Sequence, residues 1–391
     1  MRVALATYST KPRGGVVHTL ALAEALVEAG AEVSVWTLGR GGDRAFFRPV
    51  DPRVDVRVVP FAPREGEDVG ARVLRSVRVL REGFDAAGYD VVHAQDCISA
   101  NAVGRCVRTV HHLDTFTTPE LAACHERALV EPYAHVCVSR AVAAEVRAGW
   151  GLDPVVIPNG VDAAPFAAAA SGSAAARAAR RAWRERFGRY VLAVGGIEPR
   201  KGSVDLLRAV ALLRERVPGV RLVVAGGETL FDHREYRAGF DDLAVRLGVR
   251  PHVLGPVPQE DLPSLVAAAA VVGFVSTKEG FGLAAMEALA AGVPLVTREL
   301  PVLREVFDGA ALFAADPAGT AAALHEALTA APGDPAAAAR RRRGLALVAR
   351  HTWARAARAH LELYRSLVPA ALSPPAPAGR PAAPRRSAPR R

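Results

Sequence analysis

The sequence predicts an α/β protein built from two doubly wound, Rossmann-like domains that face each other across a cleft. Short apolar runs of strand length alternate with helical patterns through the first half, and the same alternation starts again near residue 190. With 391 residues the chain is long for one core and comfortable for two, and half of its residues are hydrophobic, enough to bury two sheets.

In chain order, Val3–Thr7 reads as a strand, and Lys11, Pro12, Arg13, Gly14 and Gly15 as a Gly-rich loop. A helical pattern through Leu20, Ala23, Leu26 and Val27 follows, and after Gly30 a second strand runs over Ala31–Thr37. Strand, loop, helix and strand in that order imply a parallel sheet. The loop lacks GxGxxG spacing, so a dinucleotide fingerprint is absent. Gly14 and Gly15 either let backbone approach a ligand phosphate or the facing domain, or make only a tight turn.

Asp55–Pro60 is the next strand and Asp68–Phe84 a helix. Tyr89–His93 is a buried strand ending in polar His93, Gln95 and Asp96, at the strand end where ligands gather in open α/β sheets. Cys106–Val110 runs into His111, His112, Leu113, Asp114 and Thr115. This histidine pair suits acid–base or substrate-binding work, and is equally ordinary in a surface loop. Ala134–Val138 is a strand, Ser139 caps a helix over Arg140–Ala148, and Val155–Asp162 is a strand closing into the Asn159–Gly160 turn. The Ala-, Ser- and Arg-rich stretch Ala167–Arg180 reads as an interdomain linker or a surface helix extending it.

The second half repeats the pattern. Tyr190–Val194 is a strand, Gly195 to Gly202 a loop, and Val204–Arg216 a helix. Further strands fall at Val220–Ala225, His252–Gly255, Val271–Val275 and Pro294–Thr297, and a last helix at Ala354–Val368. The expected organisation is a first domain over 1–165, a linker over 166–186, a second domain over 187–350, a helix over 351–368 packing back on the first domain, and a disordered Pro/Ala/Arg tail over 369–391.

Within the second half, Ser276 to Pro294 carries the most chemistry. Glu279 and Glu287 stand eight positions apart, with Gly280, Phe281 and Gly282 between the first acid and the helix-forming run Leu283–Ala291. Side chains on a helix lean toward its N-terminus, so Glu287 can point back toward Glu279. The Gly-Phe-Gly turn can bring bare N–H groups to a ligand at a helix N-terminus that favours an anion. Two carboxylates able to hold sugar hydroxyls beside an anion cradle describe a nucleotide-sugar site; the plainer reading is a strand, turn and capped helix.

Composition excludes several classes. The net charge is +10, but five arginines of the tail, Arg380, Arg385, Arg386, Arg390 and Arg391, supply half of it, and nucleic-acid binding rests on charge alone. The arginine run Arg340–Arg343 reads as a solvated helix face or as a contact for anionic lipid headgroups. Lysine occurs only at Lys11, Lys201 and Lys278. Cys97, Cys106, Cys124 and Cys137 show no metal-ligand spacing and suit reduced thiols of a cytoplasmic protein. The longest uncharged apolar run, Leu265–Val275, is too short to span a bilayer.

With these residues laid out, the chain resembles a retaining glycosyltransferase of family 4, with the two-domain GT-B fold, over roughly residues 1 to 368. The likeness rests on motifs in order: the Gly14–Gly15 loop, the Asn159-Gly160-Val161-Asp162 segment, the Gly195–Gly202 segment and the paired acids Glu279 and Glu287. It implies that Lys201 binds the donor diphosphate and neutralises the leaving group, that Glu287 accepts hydrogen bonds from the nucleotide ribose, and that Glu279 binds hydroxyls of the transferred sugar. The backbone at Phe281, Gly282 and Leu283 would approach sugar and phosphate.

The family usually adds an Arg after the first glycine of the Gly195 segment, where this chain has Gly196. Either Arg200 supplies the missing guanidinium, or Lys201, the Gly15 loop and a helix N-terminus hold the phosphate alone. The family's first-domain histidine aligns with His111, and with His112 after a one-residue shift. The implied reaction is metal-independent transfer from a nucleotide-diphosphate sugar to an acceptor hydroxyl, lipid-linked or on a small polar molecule, with no cofactor. The implied setting is the cytoplasm or the inner membrane face, reached through the basic C-terminus. The alternative is a catalytically silent protein on the same fold that binds a sugar or nucleotide.

Overall fold

The structure, a computed structural model, describes residues 1–114, 116, 118–227 and 234–371; the tail from residue 372 lies outside them. Two parallel sheets form the frame. The first is built from β1 (Arg2–Ala6), α1 (Gly14–Glu28), β2 (Glu32–Arg40), β3 (Asp55–Phe61), α2 (Val69–Gly83), β4 (Val91–Ala94), α3 (Cys97–Val103), β5 (Val107–Val110), α4 (Pro119–Val130), β6 (Ala134–Cys137), α5 (Arg140–Trp150) and β7 (Val155–Val156). Its strands lie in the order β3-β2-β1-β4-β5-β6-β7.

Two helices, α6 (Ala163–Ala170) and α7 (Ala174–Phe187), lead to β8 (Tyr190–Val194), α8 (Ser203–Arg216), β9 (Arg221–Ala225), α9 (Arg234–Arg246), β10 (His252–Gly255), α10 (Leu262–Ala268), β11 (Val271–Phe274), α11 (Leu283–Ala290), β12 (Leu295–Arg298), α12 (Pro301–Phe307), β13 (Leu312–Ala314), α13 (Pro317–Thr329) and α14 (Pro335–Arg350). This sheet has the order β10-β9-β8-β11-β12-β13, and α15 (Trp353–Ala371) ends the described chain. Strand order reverses between β1 and β4 in one sheet and between β8 and β11 in the other. Loops leaving the sheet there part to opposite faces, and each reversal opens a crevice at the strands' carboxyl ends.

The central strands β4, β5 and β11 are buried along their whole length, which explains why β11 reads as a continuous apolar run and not as an alternating one, while β4 and β5 bury His93, Arg108 and Thr109 as well. Helix starts are set by short polar side chains: Asp68, Asp96 and Ser139 each accept a backbone N–H of the first turn of α2, α3 and α5.

Residues 163–187, read largely as linker from their Ala/Ser/Arg composition, fold as α6 and α7 and pack on α10 and α11. Phe166 and Phe187 are the buried anchors that composition obscures. The strand expected over Val155–Asp162 stops at Val156. Beyond it the chain meets the segment ahead of α15: Val161 donates its N–H to the His351 carbonyl at 2.9 Å. A Cβ on Gly160 would stand 2.3 Å from the Trp353 nitrogen, so this glycine serves close approach of two chain segments, not a left-handed turn.

Helix α15 packs on α1, and its Ala356, Ala357, Leu361 and Tyr364 belong to the core under the first sheet. His93, read as a strand-end ligand group, instead points into this core. Its Nδ1 lies 2.6 Å from the Tyr364 hydroxyl and its Nε2 2.7 Å from Thr109 Oγ1. A fully buried imidazole must have both nitrogens satisfied, and α15 supplies one partner. Tyr364→Phe leaves a buried nitrogen unpaired and is expected to cost about 1–3 kcal/mol, measured as a lower midpoint in urea; an unchanged midpoint would show that water replaces the hydroxyl.

Candidate functional site

The second-domain half of the site forms where β8 and β11 end. After β8 the chain turns through Gly195, whose φ of +136° excludes ordinary side chains; a Cβ there would lie 3.3 Å from Lys201 Cε, so the glycine lets the lysine stem lie across the loop. Pro199–Lys201 is a single 3₁₀ turn closed by Gly202 at φ +65°, where a Cβ would strike the Val275 carbonyl at 2.2 Å. These constraints aim Lys201 at the residues following β11. Lys201 Nζ reaches Glu279 Oε1 at 2.7 Å, Ser276 Oγ donates to the same oxygen at 2.9 Å, and Arg200 Nη1 approaches it at 3.3 Å. The other arm of Arg200 pairs with buried Glu198 at 3.0 Å.

Burial alone would raise the Glu279 carboxyl, but Lys201 and Arg200 outweigh it and hold it at about 2. Glu279 is therefore an anion at any working pH, pinned by two cations. Gly196 carries no side chain, and the guanidinium present in this cluster is that of Arg200. Glu198 and Ser276 escaped the sequence reading: an acid two residues before an arginine and a serine three before an acid are too common to signal a site.

Gly282 caps α11 in the left-handed region at φ +99°, and a Cβ there would press on the Phe307 ring at 2.9 Å. Phe281 turns its ring into the second-domain core, leaving its backbone and that of Leu283 at the helix start. Glu287, one turn inside α11, faces a different neighbour from Glu279. Together with Asp162, Leu283, Gln259, Glu24 and Arg358 it lines a cleft of about 1680 Å³ between the domains, and Lys201, Glu279 and His111 are not part of that lining.

Burial and the nearby Asp162 carboxylate push Glu287 up to about 8, so the group is mostly a neutral acid at pH 7. A protonated carboxyl both donates and accepts, so it keeps the ability to accept from a ribose hydroxyl. Because the folded protein holds this proton where the unfolded chain, near 4.5, has lost it, stability attributable to Glu287 is intact below pH 4.5 and is lost as pH rises through 8. Glu287→Gln should therefore gain melting temperature over the parent as pH goes from 5 to 8.5; a gap independent of pH would contradict the assignment.

From the first domain, Gly14 and Gly15 are the opening residues of α1 and not a loop. Arg13 precedes them without a side-chain cap, so the first amides of the helix have no acceptor within it. A Cβ on Gly15 would sit 3.7 Å from the His111 ring. His111 Nε2 is buried and has no hydrogen-bond partner among the described residues. Burial, with Arg108 and His112 nearby, pushes its ring well below the ordinary histidine value, so it is neutral.

His18, on α1, meets the His111 ring edge-on at 4.7 Å and is fixed by Asn159 Oδ1, 2.9 Å from its Nδ1. Asn159 thus holds His18 and reaches the site through it. His112 turns the other way, its Nε2 3.3 Å from Asp114 Oδ1. Of the two histidines, His111 is the one placed against α1.

The two halves touch. A Cβ on Gly280 would fall 1.5 Å from the His111 carbonyl oxygen, so the loop after β11 lies directly on the loop after β5. Nearby, Glu305 of α12 accepts the Arg140 and Ala141 amides at the start of α5, at 2.9 and 2.8 Å. Among the described residues no group of three His, Cys, Asp or Glu side chains is placed to hold a metal ion, and no helix is long and apolar enough to cross a membrane. Arg341, Arg342 and Arg343 are exposed on α14, and the four cysteines are unpaired.

The model of the family described as glycosyl transferases group 1 matches residues 180–344, and that of glycosyltransferase family 4 matches residues 12–164. The D-inositol 3-phosphate glycosyltransferase of Salinispora tropica is 34% identical over 328 residues, covering 73% of this chain and 67% of that protein. The phosphatidyl-myo-inositol mannosyltransferase of Mycolicibacterium smegmatis is 31% identical over 346 residues, 81% of this chain and 82% of its own. Among solved structures, Anabaena HepE in complex with UDP-glucose superposes with a TM-score of 0.73 at 20% identity, over 94% of this chain and 100% of that one.

Proposed function

The chain belongs to the glycosyl transferases group 1 family and has the GT-B fold, and from that premise we propose that it moves a sugar from a nucleotide-diphosphate donor to an acceptor hydroxyl, with retention at the anomeric carbon and without a metal. The observation that carries this reading is the cluster of Lys201, Arg200 and Glu279 at the β8–β11 reversal, next to Gly280, which lies on the His111 carbonyl across the domain contact while the His111 ring lies against Gly15 of α1. HepE's complex with UDP-glucose supports the donor class.

In this account the donor diphosphate takes Lys201 from Glu279, with the amides of Gly14 and Gly15 and the start of α11 as further donors of fixed positive potential. Arg200 stands in for the arginine that Gly196 lacks. Glu279, freed on one side, accepts hydroxyls of the sugar, while Glu287 holds the ribose as a neutral acid. His111 contributes a neutral imidazole nitrogen beside the reacting centre. Charge developing on the leaving diphosphate meets these preorganised groups, the usual source of most of the rate in such chemistry. Donor groups lie mainly on one domain and His111 on the other, so closure assembles the site.

The test is a transfer assay with UDP-, GDP- and ADP-sugars in EDTA, with the product's anomeric configuration read by proton NMR. Retained configuration and full rate in EDTA are expected. Inversion or an absolute need for divalent metal would overturn the mechanism, and binding of a donor without transfer or hydrolysis would favour the silent protein.

A further inference from the structure

His112 and Asp114, which the donor chemistry leaves unused, form a pair at the edge of the domain contact. Gly280 lies on the His111 carbonyl, so the very next side chain of that loop, His112, starts where the loops after β5 and β11 meet. On the other side of the meeting point Lys278 and Glu279 lead into Gly280. Thr277 ties this loop to the Arg200 carbonyl through its N–H at 2.8 Å and its hydroxyl at 3.2 Å. The charges of Arg200 and Lys278 both reach Asp114. The pair therefore stands beside the cluster assigned to the transferred sugar.

Burial alone would raise the Asp114 carboxyl, but the hydrogen bond from His112 and the charges of Arg200 and Lys278 outweigh it and hold the group below the ordinary carboxylate range. An ionised carboxylate only accepts, so in the neutral ring it is Nε2, 3.3 Å from Asp114 Oδ1, that carries the proton. This tautomer leaves a lone pair on Nδ1. That nitrogen has no hydrogen-bond partner among the described residues, and the side chain is 30% exposed. His111 differs, since its Nε2 is buried against the start of α1. A carboxylate that fixes the tautomer of an imidazole, and steadies the imidazolium formed when it takes a proton, equips histidine as a base near neutral pH.

We propose that His112 is the base that takes the proton of the acceptor hydroxyl, with Asp114 as the residue that positions it. The inference rests on the transfer reading and adds the step that the donor groups do not supply. As the acceptor oxygen bonds to the anomeric carbon, its proton passes to His112 Nδ1. The bond from that carbon to the diphosphate oxygen breaks, and its electron pair leaves with the diphosphate. Asp114 balances the imidazolium until the proton passes on to water.

The experiment uses two small nucleophiles: water, which must lose a proton, and azide, which has none to lose. The full chain is given the nucleotide sugar that binds it, and free sugar and glycosyl azide are counted for the parent, His112→Gln and Asp114→Asn, with donor affinity and melting temperature measured beside them. Transfer to water should fall about 10²-fold in His112→Gln and about tenfold in Asp114→Asn, with donor affinity and transfer to azide both within about threefold of the parent. Both side chains are partly exposed, so the variants should melt near the parent. A merely structural role would lower transfer to water and to azide together; that result, or parent-like transfer to water in His112→Gln, would overturn the proposal and leave the transfer reading standing. A parent that binds the donor and passes it to neither nucleophile would remove the transfer reading and the proposal with it.

Discussion

Lys201→Ala is expected to lower kcat/KM for the sugar donor by about 10²- to 10³-fold, the usual cost of removing one preorganised charge from a developing anion. Lys201 is the only ammonium in the cluster, and its position is fixed on three sides: the stem lies over Gly195, the 3₁₀ turn ends at Gly202, and Nζ sits 2.7 Å from Glu279. Its removal leaves Glu279 with Arg200 and Ser276, so the fold should persist and the loss should appear in turnover more than in melting temperature. Arg in place of Lys201 should not restore the rate, because the bulkier fork cannot lie across Gly195 in the same way. A loss below fivefold would mean that Arg200 and the helix starts carry the leaving group, and the central role given to Lys201 would be wrong.

Gly280→Ala should be nearly as damaging, for a different reason. With hydrogen as side chain, Gly280 lets the β11 loop rest on the His111 carbonyl; an added methyl would overlap that oxygen at 1.5 Å. Neither backbone can yield without parting the domains. Each domain keeps its own core, so the protein should fold and bind nucleoside diphosphate within a few-fold, while transfer falls ~10²-fold through misplacement of the reacting groups. Small-angle scattering should show the variant more open than the parent when nucleotide is bound. Normal transfer in Gly280→Ala would show that the closed contact is not the reacting state.

How far the sequence foretold this arrangement depended on range. Strands such as Val271–Phe274 were legible because a strand buried on both faces must be continuously apolar, and Glu279 and Lys201 were legible because each sits in a glycine-marked turn at a strand end. Local spacing could not show that these two residues, 78 positions apart, are joined by a hydrogen bond from Lys201 Nζ to Glu279 Oε1. Composition misled at 163–187, where alanine repetition hid Phe166 and Phe187 as anchors of two packed helices. His93 was misread because its partner, Tyr364, lies 271 residues away on a helix that returns to the first domain. Glu287 was placed correctly on its helix, but its protonation depends on Asp162 and on burial, neither of which spacing reveals.

The account stands most directly on one titration: UDP-, GDP- and ADP-sugars added in EDTA to the parent chain and to Lys201→Ala, with the heat of binding recorded. It predicts that one donor binds the parent at one site per chain and that Lys201→Ala binds it at least tenfold more weakly, with the chain still folded. Equal affinity in the two proteins, or no binding of any donor to the parent, would contradict the claim that the β8–β11 crevice is a nucleotide-sugar site.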